Sequence, residues 1–331
     1  MRPGIRAADT RQAHSDVRPS ALSCVSVREN GRVTSPHGPA PDDSPLPASP
    51  RLIATDLDGT LLHDDKYVSE RTIAALAAAE EAGIEVFFVT GRPARWMDVV
   101  SEHVHGHGLA ICANGAAVVD LHAGGKLLQV RPLERETALA VVQALRDAAP
   151  GTTFAVEQST GIHYEPAYPP FHQDPGATIA TAEKLLQVPE QVQGQQAEDG
   201  AAAPVLKLLA HHPDLTPDGF LAVARTAVGD RAIITRSSPS ALLEVSGPGV
   251  SKASTLALCC AQRGISSDEV VAFGDMPNDL EMLTWAGTSY AMGNAHPDVL
   301  AAASGRTVTN NEDGVAIVIE QIVARRLADG H

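Results

Sequence analysis

The sequence predicts an α/β protein: a doubly wound parallel sheet interrupted by an inserted α+β domain. Short apolar runs at Leu52, Ile84, Leu109 and Val270 alternate with segments of helical periodicity, as parallel crossover units require. Each run then breaks into polar residues and glycine: Asp56-Leu57-Asp58-Gly59, Thr90-Gly91, Asn114-Gly115 and Gly274-Asp275. Between about Ala116 and Glu244 this alternation gives way to hairpin-like pairs and separate helices.

Residues 1–50 are rich in Pro, Ser, Arg and Asp and show no periodicity, so they cannot bury enough surface to offset their ordering entropy. Arg2, Arg6, Arg11 and Arg18 would suit a transit peptide, but Asp9, Asp16, Glu29, Asp42 and Asp43 do not. A disordered tail or an over-extended start is expected. From Arg51 the pattern changes. Leu52 to Ala54 reads as a strand and Ser69 as an N-cap, and Ile73, Leu76 and Ala79 keep helical spacing up to Gly83. Ile84 to Val89 is the second strand and ends at Thr90-Gly91-Arg92-Pro93, completing a right-handed crossover. Leu109 to Cys112 is the third.

Within the insertion, Ala117–Asp120 pairs with Leu127–Val130 through Gly124-Gly125. Further strands are predicted at Thr153–Glu157, Val205–Ala210, Ala232–Arg236 and Leu242–Val245, and helices at Glu134–Ala148, Thr178–Leu186 and Pro217–Val228. Gln187 to Ala203 reads as a flexible excursion. The first grammar then returns. Ser251 to Arg263 is a helix stopped by Gly264, and Glu269 to Phe273 is a strand. Pro277 opens a helix carrying Leu280, Met282 and Leu283, and a last strand and helix run through Val308 and Val315 to Val323. The expected organisation is a tail (1–50), a core (51–115 and 246–331) and an inserted α+β domain (116–245).

A length of 331 residues favours two folded units over one. The formal net charge of -15, without a block of Lys and Arg, argues against nucleic acid or an anionic membrane as partner. Cys24, Cys112, Cys259 and Cys260 have neither metal-ligand spacing nor the density of a disulfide scaffold. With no long apolar span and no secretory signal core, the expected location is the cytoplasm.

Polar clusters mark the ends of the predicted strands and the starts of helices: Asp56 with Asp58, Thr90, Lys252, and Asp275 with Asn278 and Asp279. In an open parallel sheet the carboxyl ends of the strands share one edge, and ligands bind there. Two carboxylates about 4 Å apart repel by about 1 kcal/mol in water and about 4 kcal/mol at an effective dielectric of 20. A divalent cation relieves that repulsion, and an all-oxygen donor set favours Mg²⁺ over Zn²⁺. Lys252, in the first turn of a helix, faces the positive end of the helix dipole, a poor place for a cation unless an anion joins it. Thr90 and Gly91 offer a hydroxyl and an unshielded N–H to the same phosphoryl oxygens. The pattern describes Mg²⁺-assisted phosphoryl transfer.

These residues resemble the haloacid dehalogenase superfamily, in particular its Cof-type phosphatases. Asp56-Leu57-Asp58-Gly59-Thr60-Leu61 is similar to motif one, Val89-Thr90-Gly91-Arg92-Pro93 to motif two, Gly249-Val250-Ser251-Lys252 to motif three, and Phe273 to Asp279 to motif four. Ala291 to Ala295 and Glu312 to Ala316 resemble that group's C-terminal signatures. The resemblance implies a Rossmann-like core with the insertion as a cap. It implies Asp56 as nucleophile, Asp58 as general acid and base, and Mg²⁺ held by Asp56, the Asp58 backbone carbonyl and Asp275. It further implies phosphate contacts from Thr90, Gly91 and Lys252, support from Asn278, Asp279, Gly59 and Thr60, and Asn114 on the substrate side. The substrate would be a small phosphorylated metabolite, sugar phosphates first, with no protein partner implied. A phosphomutase or phosphotransferase on the same scaffold is the alternative. A receiver-like signalling module would lack the inserted domain and the late Asn278-Asp279 pair.

Other features read more plainly. His103-Val104-His105-Gly106-His107 is expected to be a solvent-facing loop rather than a metal site. Cys259-Cys260 reads as small apolar packing on the helix after Lys252. Gly247 to Lys252 loosely resembles a nucleotide-binding loop but lacks the glycine directly before the lysine.

Overall fold

The computed structural model describes residues 50–101, 108–169, 174–187, 202–236 and 242–329. All but the last residue of the expected tail, the His103–His107 loop and most of the 187–203 excursion lie outside the described residues. In chain order the first sheet begins with β1 (Leu52–Thr55), β2 (Glu85–Val89), β3 (Leu109–Cys112), β4 (Ala117–Asp120) and β5 (Lys126–Val130). A second sheet follows, made of β6 (Thr153–Gln158), β7 (Gly161–Tyr164), β8 (Val205–His211), β9 (Ile233–Thr235) and β10 (Leu242–Ser246). The chain then returns to the first sheet as β11 (Val270–Gly274), β12 (Thr288–Ala291) and β13 (Gly305–Arg306).

The first sheet has the order β13-β12-β11-β1-β2-β3-β4-β5, parallel as far as β3. From β1 the chain steps one way through β2 and β3, and later the other way from β11 to β13. Right-handed crossovers in opposite directions place their helices on opposite faces of a sheet. With both faces covered, Leu52, Ile53, Ala54 and Val270 to Phe273 are fully buried, which is why these strands are continuous apolar runs. The helix Glu70–Glu81 starts where the Ser69 hydroxyl oxygen accepts the Thr72 N–H at 3.1 Å, and it packs against the C-terminal helix Gly314–Ala328. Among the described residues no helix is long and apolar enough to cross a membrane.

Several expectations need correction. The hairpin expected to open the insertion at residue 116 belongs to the first sheet, because β4 pairs antiparallel with β3 from Leu109 opposite Asp120 to Cys112 opposite Ala117. A tight turn at Ala113–Gly115, with Asn114 in the left-handed region at φ 55°, folds the chain straight back, so this local pairing forms at little closure cost. After β5 the chain passes to the second sheet, where Leu133 donates its N–H to the Val205 carbonyl at 2.9 Å. The helix expected from Thr178 begins only at Ala182, because Ile179 bridges to Tyr164 beside β7. The strand expected near Val308 is instead the short β13, while β12 and β7 were not predicted.

The second sheet has the order β7-β6-β8-β10-β9 and is antiparallel throughout. Phe154 and Val156 of β6, Leu208 and Ala210 of β8, and Leu243 and Val245 of β10 pack with residues of the helices Arg135–Ala148, Ala182–Leu186 and Pro217–Val228. Side chains alternate along a strand, so Ala155, Glu157, Lys207, Leu209, Leu242 and Glu244 fall on the opposite face.

Candidate active site

Strand register assembles the site. Thr55 at the end of β1 lies opposite Phe88 of β2 and Phe273 of β11. The next residue, Asp56, donates its N–H to the Phe273 carbonyl at 3.1 Å. Thr90 follows β2 directly, Asp275 follows β11, and Asn114 lies just past β3, so parallel pairing brings these polar residues to one edge.

The floor of the site is a buried charge network. Lys252 Nζ donates to Asp56 Oδ1 and to Asp279 Oδ1, each at 2.7 Å. Asp279 Oδ2 accepts the N–H groups of Asp275 at 3.1 Å and Met276 at 3.0 Å. Asp275 Oδ1 accepts the Thr60 hydroxyl at 2.9 Å. Lys252 is set by a capping box: the Ser251 hydroxyl accepts the Ser254 N–H at 3.2 Å, and the Ser254 hydroxyl accepts the Ser251 N–H at 2.9 Å. The anions that the helix-starting lysine called for are these aspartates. Gly59 makes room for them: it sits at φ +79°, and a Cβ there would lie 2.3 Å from Asp275 Oδ2.

Asp56 and Asp279 share one ammonium with Asp275 close by, and the proton affinities of Asp56 and Asp275 reflect the crowding. Burial and the neighbouring Asp279 and Asp275 push Asp56 well above the usual carboxylate range, with Lys252 pulling the other way. Burial, then the charge of Asp279, raises Asp275 to about 7. Burial alone would lower Lys252, but Asp279 and Asp56 outweigh it and hold the ammonium protonated. Carboxylate oxygens of Asp56, Asp275 and Asp279 lie within 4.8 Å of one another. Asn278 Oδ1 nearby is buried without a hydrogen-bond partner. Clustered oxygens with surplus negative charge and an unused acceptor fit a hard divalent cation.

Asp58 sits apart from that cluster. Its carboxylate takes a two-point contact from Arg92, Nε at 2.6 Å and Nη2 at 2.7 Å, and a third from Lys66 Nζ at 2.9 Å. Burial raises its pKa, but the hydrogen bonds from Arg92 and Lys66 prevail and leave it lowered. Thr90 is buried, and its hydroxyl oxygen accepts the Arg92 N–H at 3.1 Å.

The second sheet reaches this edge through two buried charges. Lys207 Nζ donates to the Gly91 carbonyl at 2.7 Å and pairs with Glu244 at 3.2 Å. Glu244 accepts the side-chain amide of Asn114, whose Oδ1 accepts from Asn278 Nδ2 at 3.3 Å. Between the two sheets lies a cavity of about 440 Å³ lined by Asp56, Asp58, Thr90, Gly91 and Asn278 on one side and Lys207 and Glu244 on the other. Lys252, Asp275, Asp279, Thr60 and Gly59 stand behind Asp56 in the floor network or against it, and Asn114 bridges Asn278 to Glu244.

Sequence reasoning gave no role to Lys66, Arg92, Lys207 or Glu244. Lys207 had a usable signal, a lone charge inside the apolar run Val205-Leu206-Lys207-Leu208-Leu209. Lys66 had none, being an ordinary charged residue in the turn region after motif one.

A family described as haloacid dehalogenase-like hydrolase matches residues 53–319. The chain is 29% identical over 273 residues to the pyridoxal phosphate phosphatase YbhA of Escherichia coli, covering 80% of this chain and 96% of that protein. It is 30% identical over 257 residues to the HMP-PP phosphatase of Shigella flexneri, covering 76% of this chain and 87% of the relative. A crystal structure of a haloacid dehalogenase-like hydrolase from Bacteroides thetaiotaomicron is 26% identical, with a TM-score of 0.63 over 83% of this chain and 100% of that one.

Proposed function

The chain belongs to the haloacid dehalogenase-like hydrolases and is a phosphatase of that family, and we propose that it works with Mg²⁺ through an aspartyl-phosphate on Asp56. The observation that carries the reading is the pairing of two differently held carboxylates at one cavity, Asp56 gripped by Lys252 and Asp58 gripped by Arg92 and Lys66. Different environments suit different roles.

Asp56 attacks phosphorus, forming one P–O bond as the bond to the leaving oxygen breaks, and Asp58 gives that oxygen its proton. Asp58 then takes a proton from a water that attacks the phosphoryl group, releasing inorganic phosphate and restoring Asp56. To act first as an acid, Asp58 has to loosen from Arg92 and Lys66 as substrate enters. Thr90, Gly91 and Lys252 hold the phosphoryl oxygens. Bound by Asp56, Asp275 and the Asp58 carbonyl, with Asn278 and Asp279 in support, Mg²⁺ would neutralise charge between nucleophile and phosphate.

In this reading the second sheet and its helices form a cap domain that leaves the core after β5 and rejoins it after β10. The substrate is a small phosphorylated metabolite, a reading supported by the names of the two relatives above. Three buried free thiols, Cys112, Cys259 and Cys260, suit a reducing cytoplasm. Phosphate release across a metabolite panel tests the proposal: turnover is expected with Mg²⁺ and its loss on chelation. Undiminished release in a chelator would remove the metal from the account.

A further inference from the structure

Two C-terminal stretches to which the mechanism gives no work, Ala291 to Ala295 and Glu312 to Ala316, meet the chain just past Asp58. Asn294 Nδ2 donates to the Gly59 carbonyl at 2.8 Å, and its Oδ1 accepts the Asn310 N–H at 3.1 Å. Asn310 Nδ2 donates to the Leu62 carbonyl at 2.9 Å, and Asn311 Nδ2 to the Asp64 carboxylate at 2.8 Å. Asp313 closes the contact: its Oδ1 accepts from His63 Nε2 at 2.8 Å and from the Ser69 hydroxyl at 2.6 Å. Burial raises the Asp313 pKa, but the hydrogen bonds from Ser69 and His63 outweigh it and hold the group below the usual carboxylate range.

What this clamp holds is the short turn that carries Lys66. The Lys66 N–H donates to the His63 carbonyl at 2.8 Å, and the His63 N–H donates to the Tyr67 carbonyl at 3.1 Å. Lys66 sits in the left-handed region at φ 63°, as does Asp313 at φ 58°. Residues other than glycine stay there only where their surroundings over-determine it, and such positions cluster at functional sites. Without the hold of Asp313 the turn would relax, and the half-exposed Lys66 ammonium, 2.9 Å from Asp58 Oδ1, would drift into solvent. A proton given to the leaving oxygen leaves a carboxylate on Asp58, and an ammonium kept within reach favours that step.

We propose that Asp313 is a positioning residue of this phosphatase: through His63 it pins the turn 63–67, and the pinned turn keeps Lys66 within reach of Asp58 while the leaving oxygen departs. The proposal rests on the phosphatase reading above, and it ties events at the mouth of the site to a carboxylate in the turn before the C-terminal helix.

The test uses the full chain with Asp313→Gly, which removes the carboxylate while suiting the left-handed backbone, and with Asp313→Asn, which keeps an acceptor oxygen in the same place. His63→Phe breaks the same contact from the other side. Without substrate, acylation of Lys66 by an N-hydroxysuccinimide ester is followed by peptide mass spectrometry, with the exposed Lys126 of β5 as reference. Labelling of Lys66 is expected to rise severalfold in Asp313→Gly and His63→Phe and to stay near the unaltered value in Asp313→Asn. In Mg²⁺, phosphate release is then compared for p-nitrophenyl phosphate, whose leaving group needs little help from a proton, and phenyl phosphate, whose leaving group needs more. Asp313→Gly is expected to lower kcat/KM for phenyl phosphate at least about fivefold more than for p-nitrophenyl phosphate, and to change nothing further in a chain that already carries Lys66→Ala. Unmoved Lys66 labelling, equal losses on the two esters, or losses that add in the Lys66→Ala chain would overturn the proposal. No release of phosphate from either ester by the unaltered chain defeats the phosphatase reading whatever the labelling shows, and release with unmoved labelling defeats the clamp alone.

Discussion

At the strand ends of the first sheet, three buried carboxylates cluster and two of them grip one ammonium, while the facing wall of the second sheet turns mostly aliphatic and aromatic side chains toward the same cavity. The first arrangement is held by charge and depends on Lys252, the ammonium that Asp56 and Asp279 share. The second is held by packing and tolerates exchange of shape for shape. Charge and packing thus lie on opposite sides of one space, so each side can be perturbed separately.

The largest effect is expected from the floor. Asp56→Asn removes the proposed nucleophile with little change in shape, and kcat should fall by at least about 10⁴-fold while circular dichroism is unchanged. Retained hydrolysis would move the nucleophile elsewhere. Lys252→Ala leaves Asp56 and Asp279 buried without their shared counter-charge, and a loss of about 3–5 kcal/mol in denaturant unfolding is expected, together with reduced turnover. A near-neutral change would mean that the network does not depend on this ammonium.

Metal binding should depend on pH in a direction set by Asp275. Its pKa in the folded chain, about 7, lies above that of an ordinary carboxylate, so the folded state binds the extra proton and the metal-free chain loses stability as pH rises toward 7. Mg²⁺ must displace that proton below 7, so its affinity should rise with pH through that range. Thermal unfolding with graded Mg²⁺ at several pH values reads this directly, and a flat dependence would contradict it.

The smallest effect is expected at the mouth. Arg92→Ala removes the hydrogen bonds that keep Asp58 ionised, so its pKa should rise and the alkaline limit of kcat/KM for alkyl phosphates should move up by about one pH unit. Lys66→Ala should move it less, because that side chain is half exposed.

The same contrast explains what could be read from the sequence. Parallel pairing fixes which residues meet, so apolar runs ending in Asp56, Thr90, Asn114 and Asp275 were enough to bring these four to one edge, whereas Lys252 and Asp279 arrive from helix starts. β12 escaped notice because Thr288-Ser289-Tyr290-Ala291 is buried without being uniformly apolar. The β4–β5 hairpin was legible, but nothing local in a hairpin says which sheet it joins. The apolar wall of the second sheet was hidden for a related reason. Ile162, Leu209 and Leu242 share a face only through antiparallel register between strands far apart in sequence, and β7 is only four residues long. The grip of Arg92 and Lys66 on Asp58 depends on side-chain reach, which no spacing rule encodes.

The account stands or falls on whether Asp56 itself becomes phosphorylated. Acid quenching of the Mg²⁺-loaded chain during steady turnover, followed by peptide mass spectrometry, should find a phosphoryl group on the Leu52–Leu62 segment at Asp56, absent from the Asp56→Asn protein. A chain that turns over while that segment stays unmodified, or that carries the group on another residue, would contradict it.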